Sequence, residues 1–144
     1  MGNIVCATRG GAGSRAVQQA AVTYARERGT GLVFLFVIDT GSVEQEDAEL
    51  VAAVHDELLF LGQTLLRIAK KRAANYQVAA EIIVRDGRVK EQITKFLDES
   101  SAELLLLGAP RGTTDTTFGD DVIEQFAESI HRDTGVEVEI IRPE

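Results

Sequence analysis

Short apolar runs alternate along the chain with segments of helical periodicity, and this alternation limits the possible folds more than any other feature of the sequence. The short runs are rich in Val, Ile, Leu or Phe and are bounded by turn residues, as β-strands are. They are Asn3–Thr8, Gly31–Ile38, Val78–Val84, Glu103–Gly108 and Val136–Ile140. Because strands separated by helices require crossover connections, we expect a doubly wound α/β fold, with a parallel sheet and helices on both faces.

The helical segments between the strands place apolar residues three and four positions apart, as amphipathic helices do. They cover residues 14–28, 46–74, 88–97 and 118–131. The second is the longest, and its predicted apolar stripe consists of Leu50, Val54, Leu58, Leu61, Leu65 and Ile68. Gly62 is a candidate bend in this helix. Gly29 and Gly135 predict the ends of the first and last helices.

The composition excludes several classes of function. The chain is 44% hydrophobic and 26% charged, with a net charge of −8, and its 144 residues fit one domain over residues 1–144. Because an acidic chain without a basic stripe binds phosphate backbones poorly, we expect no nucleic-acid partner. The longest apolar run, Leu32–Ile38, is too short to cross a bilayer, and the N-terminus lacks the pattern of a signal peptide. We therefore expect a cytoplasmic protein without a membrane partner.

Acidic side chains concentrate between Glu44 and Glu57, at the start of the long predicted helix. The simpler interpretation is that they form the solvated face of that helix. The alternative is a docking patch for a partner protein, and the sequence leaves both interpretations open.

The first candidate ligand loop covers residues 9–14, between the first strand and the first helix. Open parallel sheets bind ligands beyond the carboxyl ends of their strands, where the strand order reverses. Glycines in this loop let backbone N–H groups approach an anion at a helix N-terminus, and Arg9 supplies positive charge. Two alternatives remain: turn glycines with Ser14 as a helix cap, or a dinucleotide fingerprint with Asp39 ending the second strand. The chain is short for a dinucleotide fold, which needs two mononucleotide-binding halves.

The second candidate ligand loop covers residues 108–119, after the fourth strand. Its threonines and Arg111 are candidate phosphate ligands. The competing interpretation is an ordinary helix start, because Asp120 and Asp121 are acids of the kind favoured in a first helical turn.

Three segments carry a family resemblance: IVCATRGGAGS at residues 4–14, LVFLFVID at 32–39 and LLLLGAPRG at 104–112. In this order and at this spacing, they resemble the universal stress protein family over nearly the whole chain. The resemblance implies a five-stranded parallel sheet with strand order 3-2-1-4-5. It also implies homodimers, often joined through the last strand, and in one branch ATP held at the two loops described above.

The ATP-binding branch carries G-x2-G-x9-G-[S/T] after its fourth strand, and this chain departs from that pattern. Gly108 matches the first glycine, whereas Arg111 occupies the place of the second and Gly112 follows one residue late. Six residues then separate Gly112 from Gly119, and Asp120 replaces the Ser or Thr. A carboxylate at a helix start repels a triphosphate unless a metal ion such as Mg²⁺ bridges the two.

The resemblance thus implies a stress-response binding or regulatory module, with ATP or another adenine nucleotide and Mg²⁺ in the crevice between the loops after strands 1 and 4. The candidate nucleotide-binding residues are Ala7, Thr8, Arg9, Ile38, Gly108, Arg111, Gly112 and Gly119. No residue is predicted as a metal ligand.

No residue is predicted to be catalytic either. Helix capping explains Ser14, and His55 and His131 fit surface or helix-end positions. Cys6 lies in a predicted central strand, where a cysteine acts as a small hydrophobe. We therefore expect a protein that is not an enzyme. The alternative is a small nucleotide-using enzyme, such as an ATP hydrolase or an adenylating protein.

The last predicted strand alternates apolar Val136, Val138 and Ile140 with acidic residues, which is typical of an edge strand with one solvated face. An unpaired edge strand readily associates with another chain. We therefore expect a homodimer joined through the C-terminal strand, as the family resemblance also implies.

Overall fold

The computed structural model describes residues 3–8, 12–41, 47–108 and 118–142, with the side chains of 12–14 and 118–121 left out. The elements in these ranges alternate between strand and helix, as the sequence predicts. They are β1 (Asn3–Ala7), α1 (Ala12–Arg28), β2 (Leu32–Ile38), α2 (Ala48–Asn75), β3 (Ala80–Asp86), α3 (Val89–Ser100), β4 (Ala102–Gly108), α4 (Phe118–Thr134) and β5 (Glu137–Ile141). Their ends lie within a few residues of the predicted ones.

The strands form one parallel sheet in the order β3-β2-β1-β4-β5, which confirms the predicted order. β1 lies at the centre, with Ile4 beside Leu32 of β2 and beside Leu104 of β4. The chain winds outward in one direction through β2 and β3 and then crosses to β4. The strand order therefore reverses between β1 and β4, so the carboxyl ends of these strands flank the crevice where open α/β sheets bind ligands.

The two faces of the sheet carry separate hydrophobic cores. On one face, alternate strand residues such as Cys6, Phe34 and Leu106 pack with α1 and α2. On the other face, the intervening residues, such as Leu35 and Leu105, pack with α3 and α4. The central strands are buried on both sides because they contribute a side chain to each core in turn.

Helix α2 packs on the sheet through a face that is not its large apolar stripe. Its buried residues are Gly62, Leu66, Ala69 and Ala73. Of the predicted stripe, Leu50, Leu61 and Ile68 are exposed and the rest are only half-buried. Small residues on the sheet-facing side let the helix approach the strands closely, and the leucines of the predicted stripe then lie beside the contact rather than in it.

Gly62 is the point of closest approach. A Cβ atom at this position would lie 2.4 Å from Cδ2 of Phe36 in β2, well inside van der Waals contact. The helix runs without interruption through Gly62, from Ala48 to Asn75. Gly62 therefore makes room for an aromatic ring.

The ends of the helices follow the predicted signals. Gly29 and Gly135 both have positive φ, at +66° and +76°, in the left-handed conformation that ends helices and that glycine adopts without strain. At the start of α2, the Oδ1 atom of Asp47 accepts a hydrogen bond of 3.0 Å from the backbone N–H of Leu50. Asp47 is thus an N-cap.

Strand β5 lies at the edge of the sheet, beside β4. Val138 and Ile140 pack against the α3/α4 core, as the predicted alternation requires, whereas Ile141 packs against the other core. Glu139 is half-buried and forms a hydrogen bond with the hydroxyl of Tyr24 in α1. The second face of β5 is therefore only partly solvated. In the described part of the chain, no helix is long and apolar enough to cross a membrane.

Candidate functional site

A cavity of about 660 Å³ opens at the carboxyl ends of β1, β2 and β4, at the point where the strand order reverses. Three predicted binding residues line it: Ala7 and Thr8 at the end of β1, and Gly108 at the end of β4. The remaining described lining residues are Leu35, Phe36, Val37, Asp39, Leu58, Val89, Ile93, Leu107, Val122, Ile123 and Phe126. The fold thus brings the ends of three strands together around one space, as the topological argument requires.

The other predicted binding residues have different placements. Ile38 is buried in the α1/α2 core, and its neighbours Val37 and Asp39 line the cavity instead. Gly119 lies in the first turn of α4. Arg9, Arg111 and Gly112 lie outside the described residues.

Helices α3 and α4 form an apolar wall of the cavity, and none of the residues in this wall was predicted as a binding residue. Val89 and Ile93 come from the N-terminal half of α3, and Val122, Ile123 and Phe126 come from the first nine residues of α4. Their helical spacing predicts only that they face inward. The available signal was their position toward the N-terminal ends of two helices, because those ends lie beside the loops that follow the strands.

The Thr8 hydroxyl is the buried polar group of this cavity that lacks a partner. Thr8 is 3% exposed, and its backbone N–H donates a 2.9 Å hydrogen bond to the carbonyl of Leu35. Its Oγ1 atom has no hydrogen-bond partner among the described residues. A buried hydroxyl without a partner costs roughly 1–3 kcal/mol, so a polar group that enters the cavity gains a ready donor and acceptor.

Asp39 is the one ionisable side chain among the described lining residues. Its Oδ1 atom accepts a 2.8 Å hydrogen bond from the backbone N–H of Gly41, which fixes the carboxylate beside the end of β2. The cavity therefore combines a broad apolar wall with one carboxylate, one hydroxyl and the backbone at the strand ends. Sites of this composition bind a ligand with a large apolar surface and a few polar groups.

A larger cavity of about 930 Å³ lies between α1 and α2, away from the carboxyl ends of the strands. Val22 and Ala69 contribute apolar surface to it, and Arg15, Arg26 and Arg72 contribute charge. We assign the candidate site to the smaller cavity because it lies at the reversal of strand order and contains the buried hydroxyl without a partner.

The two histidines make other contacts. Nε2 of His55 lies 2.5 Å from Oδ1 of Asp86, at the end of β3, and neither residue lines the cavity. Nδ1 of His131 lies 2.8 Å from the carbonyl oxygen of Val136, which ties the end of α4 to the approach to β5. Both contacts hold parts of the fold together.

Cys6 and the acidic residues offer no reactive centre in the described part of the chain. Cys6 is fully buried, and this burial raises the pKa of its thiol, so the thiol stays protonated and unreactive. The described His, Cys, Asp and Glu residues form no group of three or more that could hold a metal ion. The side chain of Ser14 lies outside the described part of the structure.

Comparison with solved structures gives the same fold. The universal stress protein UspA from Lactobacillus plantarum has a TM-score of 0.84 at 16% identity, covering 98% of this chain and 97% of that one. A universal stress protein in complex with cAMP has a TM-score of 0.70 at 20% identity, covering 99% and 98%. The universal stress protein from Archaeoglobus fulgidus in complex with dAMP has a TM-score of 0.66 at 16% identity, covering 98% of each chain.

A sequence comparison with curated proteins gave no match. The model of the universal stress protein family, however, matches residues 1–141, which is nearly the whole chain. Together with the strand order 3-2-1-4-5, this match confirms the resemblance carried by the three sequence segments. The chain belongs to the universal stress protein family.

Proposed function

We propose that this protein is a regulatory module of the stress response that binds an adenine nucleotide and is not an enzyme. The observation that carries the proposal is the cavity at the ends of β1, β2 and β4, with its apolar wall and the Thr8 hydroxyl, which has no partner among the described residues. Two relatives with the same fold are complexes with cAMP and dAMP, which supports an adenine nucleotide as the ligand class.

The adenine ring suits the apolar wall. A flat aromatic base needs contact on its faces and a few hydrogen bonds at its edge. Val89, Val122 and Phe126 offer the apolar contact, and the ends of the strands offer backbone groups. Asp39 at the end of β2 is the candidate acceptor for a ribose hydroxyl, the role that an acidic residue takes at this position in nucleotide-binding sheets.

The phosphates would lie toward the starts of α1 and α4, because helix N-termini favour anions. Both helices begin close after the cavity strands in sequence, at Ala12 and Phe118. Arg9, Arg111, Gly112 and Gly119 are the proposed phosphate contacts, with Mg²⁺ offsetting the charge of a triphosphate. Arg9 and Arg111 are proposed for the positive charge that they bring to the two candidate loops, and Gly112 and Gly119 for their place in the second loop.

We also propose that the protein is a cytoplasmic homodimer of single domains that cover residues 1–144. In the described ranges, β5 pairs only with β4, so its outer edge presents free backbone groups. Pairing between two β5 strands would satisfy those groups and remove the exposed edge. The expected result in sedimentation is an assembly of at least two subunits, and a monomer at high protein concentration would contradict this part of the proposal.

Calorimetric titration with Mg²⁺–ATP, AMP and cAMP tests the nucleotide site. We expect saturable binding of at least one of the three by the native protein. Val122→Trp should abolish nucleotide binding, because the larger side chain would occupy part of the cavity that Val122 lines. Since Val122 is 65% exposed, this substitution should not disturb the core. Gln125→Trp is the matched control, since Gln125 is exposed on α4 and does not line the cavity.

Three results would contradict the proposed site. One is the absence of saturable heat for all three nucleotides, and another is equal affinity in the Val122→Trp and Gln125→Trp variants. The third is unchanged affinity in Arg9→Glu combined with Arg111→Glu, because two reversed charges would repel the phosphates.

Measurement of ATP turnover separates the proposed module from an enzyme. We expect no turnover at about 1 per second or faster, the range of ordinary enzymes. Turnover at that rate that is lost on Arg111→Ala would instead favour the nucleotide-using enzyme.

A further inference from the structure

Helix α2 buries Leu66 but leaves three large apolar side chains in water on the side that faces away from the sheet. Phe60 is 71% exposed, Leu61 47% and Ile68 43%. The close approach of Gly62 and Ala69 to the sheet produces this exposure, because the small residues occupy the buried side. Three exposed apolar side chains on one helix mark an interaction surface, whereas single exposed ones are ordinary.

The acidic and basic residues of α2 lie in different halves of the helix. Residues 48–61 contain Glu49, Asp56 and Glu57 with no Lys or Arg. Residues 62–75 contain no Asp or Glu, and their basic residues are Arg67, Lys70, Lys71 and Arg72. The helix dipole explains only charges in the first and last turns, such as Glu49 and Arg72, because its effect fades within one turn. The inner charges need another explanation.

The exposed residues are arranged symmetrically about Thr64. Seven exposed residues at helical spacing share this outward stripe of α2: Glu57, Phe60, Leu61, Thr64, Arg67, Ile68 and Lys71. Glu57 and Lys71 each lie seven positions from Thr64, Phe60 and Ile68 lie four, and Leu61 and Arg67 lie three. A small residue stands at the centre, where two helices can approach closely.

We propose that a second copy of this chain docks here, with its α2 antiparallel to the first and a two-fold axis at Thr64. This arrangement places Glu57 opposite the partner's Lys71 and Phe60 opposite the partner's Ile68. The two-fold axis repeats each contact, so the surface is complementary to itself. A parallel pair would instead place like charges opposite each other.

The charges on this surface are available for such a contact. Among the described residues, no ion pair involves Glu57, Arg67 or Lys71. Opposite charges across an interface fix its register and exclude wrong arrangements. The surface lies on the opposite face of the sheet from the α3/α4 wall of the proposed nucleotide cavity, and it includes no residue of β5.

Disulfide formation between copies tests the position of the axis. Thr64→Cys places two thiols at the axis, within reach of the Cβ separation of about 4 Å that a disulfide needs. Ala53→Cys is the matched control: it is exposed on the same helix, and its two copies would lie about 33 Å apart in the proposed pair. Cys6 is buried and does not interfere. Faster cross-linking of Thr64→Cys supports the proposal, and equal rates overturn it.

Charge exchange tests the register, with sedimentation velocity as the measurement. Because the axis repeats every contact, E57K or K71E alone should raise the dissociation constant of this contact by about tenfold or more. E57K mixed with K71E should associate again, and so should the double variant E57K/K71E, since both restore opposite charges. The proposal fails if the single variants associate like the native chain, or if neither combination restores association.

Discussion

The two faces of the sheet are built in opposite ways. On the α1/α2 face, α2 contacts the strands through Gly62, Ala69 and Ala73 and leaves leucines and a phenylalanine outside. On the α3/α4 face, large side chains such as Phe96 and Ile130 fill the space between helix and sheet. The second arrangement leaves a cavity at the carboxyl ends of the strands, whereas the first leaves an apolar surface on the outside of α2 and a cavity between α1 and α2, away from those strand ends.

This difference connects packing with function. Helix α2 lies so close to the sheet at Gly62 that no ligand fits beneath it there, and it exposes large side chains on its outer side. Helices held away by large side chains enclose space at their N-terminal ends, where Val89 and Val122 line the cavity. We therefore propose ligand binding at the α3/α4 wall and, in addition to the proposed pairing of β5 strands, a second contact between copies on the outer side of α2.

The largest expected effect comes from truncating the α3/α4 core. Phe96 is buried, with the Arg85 guanidinium 5.3 Å from its ring centre. Phe96→Ala should lower the free energy of unfolding by about 3–5 kcal/mol in urea denaturation. Phe60→Ala removes the same atoms from the exposed face of α2 and should change it by about 0.5 kcal/mol or less at low protein concentration. Similar losses in the two variants would contradict the assignment of the two faces.

The next effect concerns the close approach of α2. Gly62→Ala forces a methyl group against the Phe36 ring and should cost about 1–3 kcal/mol of stability, although alanine favours helices. Thr64→Ala, two residues away on the exposed side, should cost about 0.5 kcal/mol or less. A Gly62→Ala variant more stable than the native protein would show that α2 does not pack this closely.

The start of α2 supplies a smaller effect. Asp47→Ala removes the acceptor for the Leu50 N–H and should lower the free energy of unfolding by about 0.5–2 kcal/mol. Asp47→Asn keeps a side-chain oxygen and should stay close to the native value in the same thermal or urea melts. An equal loss in both variants would indicate that the charge of Asp47 matters rather than its capping bond.

The smallest effect is a pH dependence at the edge of the α1/α2 face. The hydrogen bond with Glu139, together with partial burial, raises the pKa of Tyr24 above its ordinary value of 10.0. Below that value, both folded and unfolded Tyr24 are neutral and the contribution to stability is complete. As the pH rises further, the unfolded tyrosine ionises first, so this contribution is lost progressively until the folded pKa is passed.

Tyr24→Phe cannot ionise and should lose stability less steeply than the native protein above pH 10. Tyr76→Phe is the control, because Tyr76 is an exposed tyrosine, 50% accessible, at the end of α2. Parallel stability curves for the native protein and Tyr24→Phe at alkaline pH would contradict the contact with Glu139.

The strands and helices can be predicted from the sequence because the spacing of apolar residues shows which side chains face the core: about every second residue in a strand and every third or fourth in a helix. The alternation therefore predicts the order of elements, and the glycines after α1 and α4 predict two helix ends. The strand order, in contrast, came from the family resemblance.

The orientation of α2 could not be predicted in the same way. Periodicity identifies a stripe of leucines on α2. The face that contacts the sheet is instead the one that carries small residues such as Gly62, because only a small residue fits against the Phe36 ring. That fit depends on tertiary packing, which periodicity does not show. The apolar wall of the cavity escaped prediction for a similar reason. Val122 and Val89 have the pattern of core residues and become site residues only where their helices begin beside the strand ends.

Hydrogen exchange of the backbone amides tests the contrast between the two faces most directly. The measurement compares the protein with and without saturating Mg²⁺–ATP, each at low and at high protein concentration. We expect that the nucleotide protects the ends of β1 and β2 and the starts of α3 and α4, and that high concentration protects the middle of α2. Nucleotide protection confined to α2, or concentration-dependent protection that leaves α2 unchanged, would contradict this expectation.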